Sequence, residues 1–257
     1  MKYQIALVSF FISFSLFADA NWAYVKTSRG TDLEIKITKS LKANAPFLIV
    51  APGQSCNSKG ALFETIEQAA IQKEINVVRF EWSYCAPSST NRNPSDDLSA
   101  EVSDMEFAIN YSKELLQKTN SDLLVSGKSL GSMVTFQIFK NHPDLKSVTL
   151  LTPVCSYLTD DQGKPLPAPL DVINENYSDL LIEKRPVFMI SGNSDPLCNH
   201  AILNNFKNKA GANLDVKYVE GNHSFTILNI DGSVNQTESQ NNLLDISNSM
   251  LEWFSIR

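Results

Sequence analysis

A succession of short, almost wholly apolar runs constrains this chain more than any other feature. The runs are 47–51 (FLIVA), 76–81 (NVVRFE), 122–126 (DLLVS), 147–151 (SVTLL), 187–191 (VFMIS) and 214–219 (LDVKYV). Short runs without strict polar alternation mark strands buried on both faces, as in a parallel sheet covered by helices on each side. The segments between them carry helical spacing. Leu62, Ile66, Ala69 and Ala70 recur within 59–73, and Leu98, Val102, Met105, Ala108, Ile109, Leu115 and Leu116 within 96–118. The same spacing predicts helices over 130–141, 200–210 and 239–254. Ahead of these, two alternating runs (23–28 and 33–38) flank Arg29-Gly30-Thr31-Asp32, which predicts a β-hairpin. The pattern is that of an α/β domain with eight strands, two antiparallel at the start and then a βα alternation.

Composition agrees with one domain built on one sheet. The 257 residues are 43% hydrophobic and 19% charged, enough to bury a core. The formal net charge of −6 argues against nucleic acid as a partner, because binding phosphates needs a basic face. The Pro-rich stretch 163–169 (GKPLPAP) reads as part of an insertion at about 152–185 over the sheet edge, not as a domain boundary.

Residues 1–20 read as a signal peptide. Lys2 precedes an apolar run from Ile5 to Ala18, and Ala18-Asp19-Ala20 places small residues at −3 and −1 of a cut after Ala20. The run is shorter than the roughly 20 residues that span a bilayer, so no stable membrane insertion is expected after cleavage. The expected location is periplasmic or secreted. In such a compartment the four Cys can form two disulfides with three possible connectivities. Their positions (56, 85, 155, 198) contain no CxxC and no His at ligand spacing, so no metal site is expected.

The sharpest motif is Gly127-Lys128-Ser129-Leu130-Gly131, between an apolar strand and an apolar helix pattern. A strand-to-helix elbow holds its Ser exposed in a strained turn, and the flanking Gly residues avoid backbone clashes. The bland alternative for Ser129 is a helix N-cap. Lys128 is expected to face solvent or to pair with a nearby acid. A nucleophilic Ser needs a base, and the base needs an orienting acid. Among three His, His223 follows the last strand in Glu220-Gly221-Asn222-His223-Ser224-Phe225. His142 reads as a helix C-terminal cap, and His200 as a helix start and candidate pocket wall. The strand at 187–191 ends in Gly192-Asn193-Ser194-Asp195-Pro196, which offers Asp195 as the acid; Glu220 and Asp179 are alternatives. An oxyanion would be held by the Leu130 amide, next to the nucleophile, and by Gln54 in the loop Ala51-Pro52-Gly53-Gln54-Ser55-Cys56.

With these motifs the chain resembles the α/β-hydrolase superfamily over nearly all of residues 21–257. Its APG loop, VVRFEW strand and GKSLGS elbow are most similar to small dienelactone-hydrolase-like members, in particular the testis-expressed protein 30-like and KAT8-complex subunit 3-like group. Ser132 departs from this pattern, standing where many members have Gly. The chain order Ser129, Asp195, His223 is the one the resemblance implies. So is a sheet ordered 1-2-4-3-5-6-7-8 with strand 2 antiparallel. That order makes strands three and four neighbours, and likewise six and seven. The resemblance therefore implies disulfides Cys56–Cys85 and Cys155–Cys198, both at the C-terminal edge of the sheet.

The expected function is a serine hydrolase that cleaves a carboxylic ester or related acyl bond of a small or polar substrate, with no cofactor. The insertion and the loop 82–97 would form the rim of the site. A peptidase or acyltransferase could use the same triad, and a non-catalytic binding protein on this fold is the alternative class.

Overall fold

The computed structural model describes residues 21–160 and 162–257. The expected signal segment, 1–20, lies outside the described residues. Strands β1 (Ala23–Lys26), β2 (Asp32–Thr38), β3 (Phe47–Ala51), β4 (Asn76–Glu81), β5 (Leu123–Lys128), β6 (Val148–Leu151), β9 (Val187–Gly192) and β10 (Leu214–Val219) form one sheet. Its order is β1-β2-β4-β3-β5-β6-β9-β10, the expected one. β2 runs antiparallel to both neighbours, while β3 through β10 pair in parallel within the sheet.

All five residues of β3 are buried, yet the period of two survives inside an unbroken apolar run. Phe47, Ile49 and Ala51 join a core with Met105, Ala108, Ile109 and Val134, under α2 (Ser99–Leu116) and α3 (Leu130–Asn141). Leu48 and Val50 face the other way, toward Ile66 of α1 (Ala61–Gln72) and Ile246 and Met250 of α6 (Gln236–Ser255). Truncating one such side chain, Ile49→Ala for example, costs about 2–5 kcal/mol. Helix α5 (His200–Ala210) covers the β9–β10 end.

Boundaries differ where caps decide them. Helix α2 starts at Ser99, later than the periodicity predicts, because Leu98 adopts φ 59° and Asp97 Oδ1 accepts the Ser99 N–H. Helix α6 starts earlier, at Gln236, because the Asn235 side chain accepts the Glu238 N–H. Between β6 and β9 the chain forms an unforeseen ribbon, β7 (Ser156–Thr159) with β8 (Pro165–Asp171), then the single turn α4 (Ile173–Asn176). The ribbon is mostly exposed and β8 carries Pro165, Pro167 and Pro169, so it has no apolar alternation to read.

Candidate active site

β5 enters α3 through a sharp turn at Ser129, whose backbone sits at φ 54°, ψ −122°. A non-Gly residue is held there only by its surroundings. Two contacts explain the flanking glycines. A Cβ on Gly131 would strike the carbonyls of Pro52 and Ala51, and one on Gly127 would strike Gly131 and Thr135. The elbow and the end of β3 therefore touch backbone to backbone. The Ser129 N–H donates to Leu151 O at 2.9 Å. Its carbonyl accepts from the Ser132 N–H at 2.8 Å and the Ser132 hydroxyl at 2.5 Å.

The Ser129 side chain does not cap α3. Its Oγ lies 2.8 Å from His223 Nε2. His223 Nδ1 lies 2.9 Å from both Oδ1 and Oδ2 of Asp195. An ionised carboxylate only accepts, so Nδ1 carries the proton and Nε2 is free to accept from the serine hydroxyl. The Asp195 side chain is fully buried, whereas that of His223 keeps 20% of its exposure. A buried carboxylate is tolerable only when hydrogen-bonded, and Oδ1 also accepts the Leu197 N–H at 2.8 Å. The His223 loop is held by Asn222 Oδ1, which accepts the N–H groups of Ser224 and Thr226.

The structure thus brings Ser129, His223 and Asp195 together. It leaves the alternatives apart. Glu220 is exposed. Asp179 is bound by Lys140 at 2.6 Å on the surface. His142 ends α3, with its N–H on Ile138 O and its Nε2 on Glu106. His200 does begin α5, but its Nε2 donates to Gly192 O and its ring packs on Tyr218, outside the cleft lining.

Leu130 directly follows Ser129 and Gln54 lines the same cleft, and among the described residues neither N–H has an acceptor. The loop carrying Gln54 is fixed by its carbonyls. Trp82 Nε1 donates to Gly53 O at 3.2 Å and the Tyr84 hydroxyl to Gln54 O at 2.9 Å. A disulfide joins Cys56 to Cys85 with Cα atoms 5.8 Å apart. A second joins Cys155 to Cys198, at 4.4 Å, beside the Asp195 turn. At the far end of the loop, Glu81 accepts the Ser58 N–H at 2.6 Å. Burial pushes the Glu81 carboxyl up to about 7.

A cleft of about 540 Å³ opens over Ser129 and His223. Its walls are the 53–57 loop, the start of α1, residues 223–226 and the start of α6. This corrects the expected rim. Trp82 and Tyr84 turn inward, buried under the 53–57 loop, because their polar atoms bond its carbonyls. The insertion likewise braces the elbow from beneath. The Tyr177 hydroxyl lies 2.7 Å from Ser132 Oγ. Nothing local marked Tyr177, 45 positions from Ser132, although a Ser in place of the usual Gly was a signal that position 132 had a partner. Lys128 also departs from expectation. It lines the cleft and, among the described residues, meets no acid at bonding distance, and burial lowers its ammonium to about 8 against the opposing pull of Asp195.

Residues 44–253 match the family model described as alpha/beta hydrolase domain. No curated protein is close enough in sequence to match the chain. Among solved structures, an alpha-beta serine hydrolase homologue from Coxiella burnetii superposes with a TM-score of 0.64 at 13% identity, covering 90% of this chain and 96% of its own. A Pyrococcus furiosus esterase gives 0.64 at 14%, covering 92% and 91%. A Xanthomonas campestris a/b serine hydrolase without lid gives 0.62 at 13%, covering 91% and 93%. At such identities the likeness establishes the fold, while the family match extends over most of the chain. The elbow, the strand order and this match agree that the chain belongs to the alpha/beta hydrolase domain family.

Proposed function

We propose that this protein is an exported serine hydrolase that cleaves a carboxylic ester or related acyl bond of a small or polar substrate. The observation that carries the reading is the 2.8 Å contact between Ser129 Oγ and His223 Nε2, with Asp195 on the opposite ring nitrogen. Ser129 Oγ attacks the carbonyl carbon as its proton passes to His223 Nε2. The oxyanion is received by the Gln54 and Leu130 N–H groups, each worth roughly 10²–10³ in rate for such donors. Collapse breaks the bond to the leaving alcohol, which takes the proton from Nε2. Water then repeats the sequence on the acyl-enzyme and restores the serine. Asp195 keeps the imidazole in the productive tautomer throughout.

A cleft of about 540 Å³ suits a small ligand. Export rests on residues 1–20 and is supported by two disulfides, which persist in oxidising compartments. Among the described residues no helix is long and apolar enough to cross a membrane. Within the superfamily, the APG loop and GKS elbow favour the small dienelactone-hydrolase-like, testis-expressed protein 30-like group. The test is a panel of 4-nitrophenyl esters of increasing acyl length beside the matching 4-nitroanilides. Turnover of short esters over anilides is expected. Faster turnover of anilides would point to a peptidase, and no turnover of any ester would overturn the reading.

A further inference from the structure

We propose that Lys128 selects an anionic substrate, its ammonium group holding a carboxylate that the ester carries a few bonds from the scissile carbonyl. This rests on the serine hydrolase reading above and names the substrate class of that site. Alternation along β5 sets Leu124 and Lys128 on the α1/α6 side of the sheet, and Leu124 packs into the core there. At the end of that row the lysine lines the cleft. A Cβ placed on Gly53 would lie 3.9 Å from Lys128 Nζ and 3.5 Å from Ser129 Cβ. The cation and Ser129 therefore both lie within 4 Å of one point beside Gly53, within reach of a single short ligand.

Among the described residues no carboxylate lines the cleft. Its polar lining is otherwise amide and hydroxyl, from Gln54, Asn57, Gln236 and Ser239, and apart from the His223 imidazole only Lys128 carries a charge. Asp195, the one acid that acts on it electrostatically, is engaged by His223. Most other lysines of this acidic chain form ion pairs or lie on the surface, among them Lys36, Lys59 and Lys217 with Glu67, Glu34 and Asp245. A half-buried ammonium without a counter-ion costs free energy. An incoming carboxylate removes that cost and gains a charge-assisted hydrogen bond in a partly desolvated site. Burial lowers the proton affinity of Lys128, and the pull of Asp195 offsets this only in part.

The experiment compares two substrate pairs on the purified protein. Methyl hydrogen succinate against methyl pentanoate places the carboxylate on the acyl side. O-Acetylglycolate against propyl acetate places it on the alcohol side. The expected result is a kcat/KM at least tenfold higher for the anionic member of one pair. Lys128→Met is expected to reduce that anionic-to-neutral ratio at least tenfold, and Lys128→Arg to retain part of it. No preference in either pair, or Lys128→Met lowering both members by the same factor, overturns the proposal, the latter assigning Lys128 to the oxyanion instead. A neutral fluorophosphonate probe run in parallel separates the two levels. If wild type is labelled but shows no anion preference, only this proposal fails; if wild type is not labelled, the hydrolase reading fails with it.

Discussion

The Tyr177 hydroxyl bridges Ser132 Oγ, at 2.7 Å, and the Val154 N–H, at 2.9 Å, and so ties the segment after β6 to the nucleophile turn. The donors run in one direction. The Val154 N–H gives to Tyr177, Tyr177 gives to Ser132, and Ser132 gives to the Ser129 carbonyl. Val154, Tyr177 and Ser132 are buried and every polar atom in the chain is satisfied, the condition under which such a chain rigidifies a site. Tyr177→Phe strands the Val154 N–H. We expect a loss of about 1–3 kcal/mol in urea unfolding and a several-fold fall in kcat with KM little changed, because the turn at Ser129 loosens while the cleft walls stay.

The Cys56–Cys85 disulfide holds the loop that carries Gln54 to the turn after β4 across 29 residues of chain. Its replacement by two serines is expected to cost roughly 2–4 kcal/mol and, if Gln54 serves the oxyanion as proposed, to lower kcat more than it raises KM. Steady-state ester kinetics and a melting curve of the double variant check both expectations. An unchanged kcat would show that the Trp82 and Tyr84 bonds suffice to hold the loop.

Glu81 makes stability depend on pH. Its folded-state value of about 7 lies above the 4.5 of a free glutamate, with burial the main cause. The neutral form is therefore favoured by folding. Its stabilising contribution is complete below about 4.5 and is lost as the pH rises through about 7. Glu81→Gln removes the titration. The melting temperature of the variant relative to wild type should rise across that window, by an amount corresponding to about 1–3 kcal/mol. A constant difference between the two melting curves at all pH values would contradict this.

Asp195→Asn preserves the shape of the turn but can present an N–H to His223 Nδ1, which places the ring proton on the wrong nitrogen. Loss of about 10⁴ in kcat is expected, as for the equivalent change in other triads. Circular dichroism of the variant should match wild type.

Much of this site was legible in the sequence because its three side chains follow immediately after apolar strands. An interior strand advertises itself by an unbroken apolar run, and the residues just beyond its end fall at one edge of the sheet. That places Ser129, Asp195 and His223 before any coordinate is known. What escaped depends on contacts between distant segments. Trp82 and Tyr84 read as rim residues because they sit in a loop, and only the carbonyls of Gly53 and Gln54 turn them inward. Lys128 reads as exposed or paired, because no local pattern shows that no acid among the described residues lines the cleft beside it. The β7–β8 ribbon buries too little to leave a period in its sequence.

The central claim is that Ser129 is an activated nucleophile. The most direct measurement is fluorophosphonate labelling of the purified protein, with the adduct located by peptide mass spectrometry. The account predicts one adduct, on Ser129, that disappears in Ser129→Ala and is strongly slowed in His223→Ala. A well-folded wild-type protein that takes up no label, or carries it on another residue, would contradict the account.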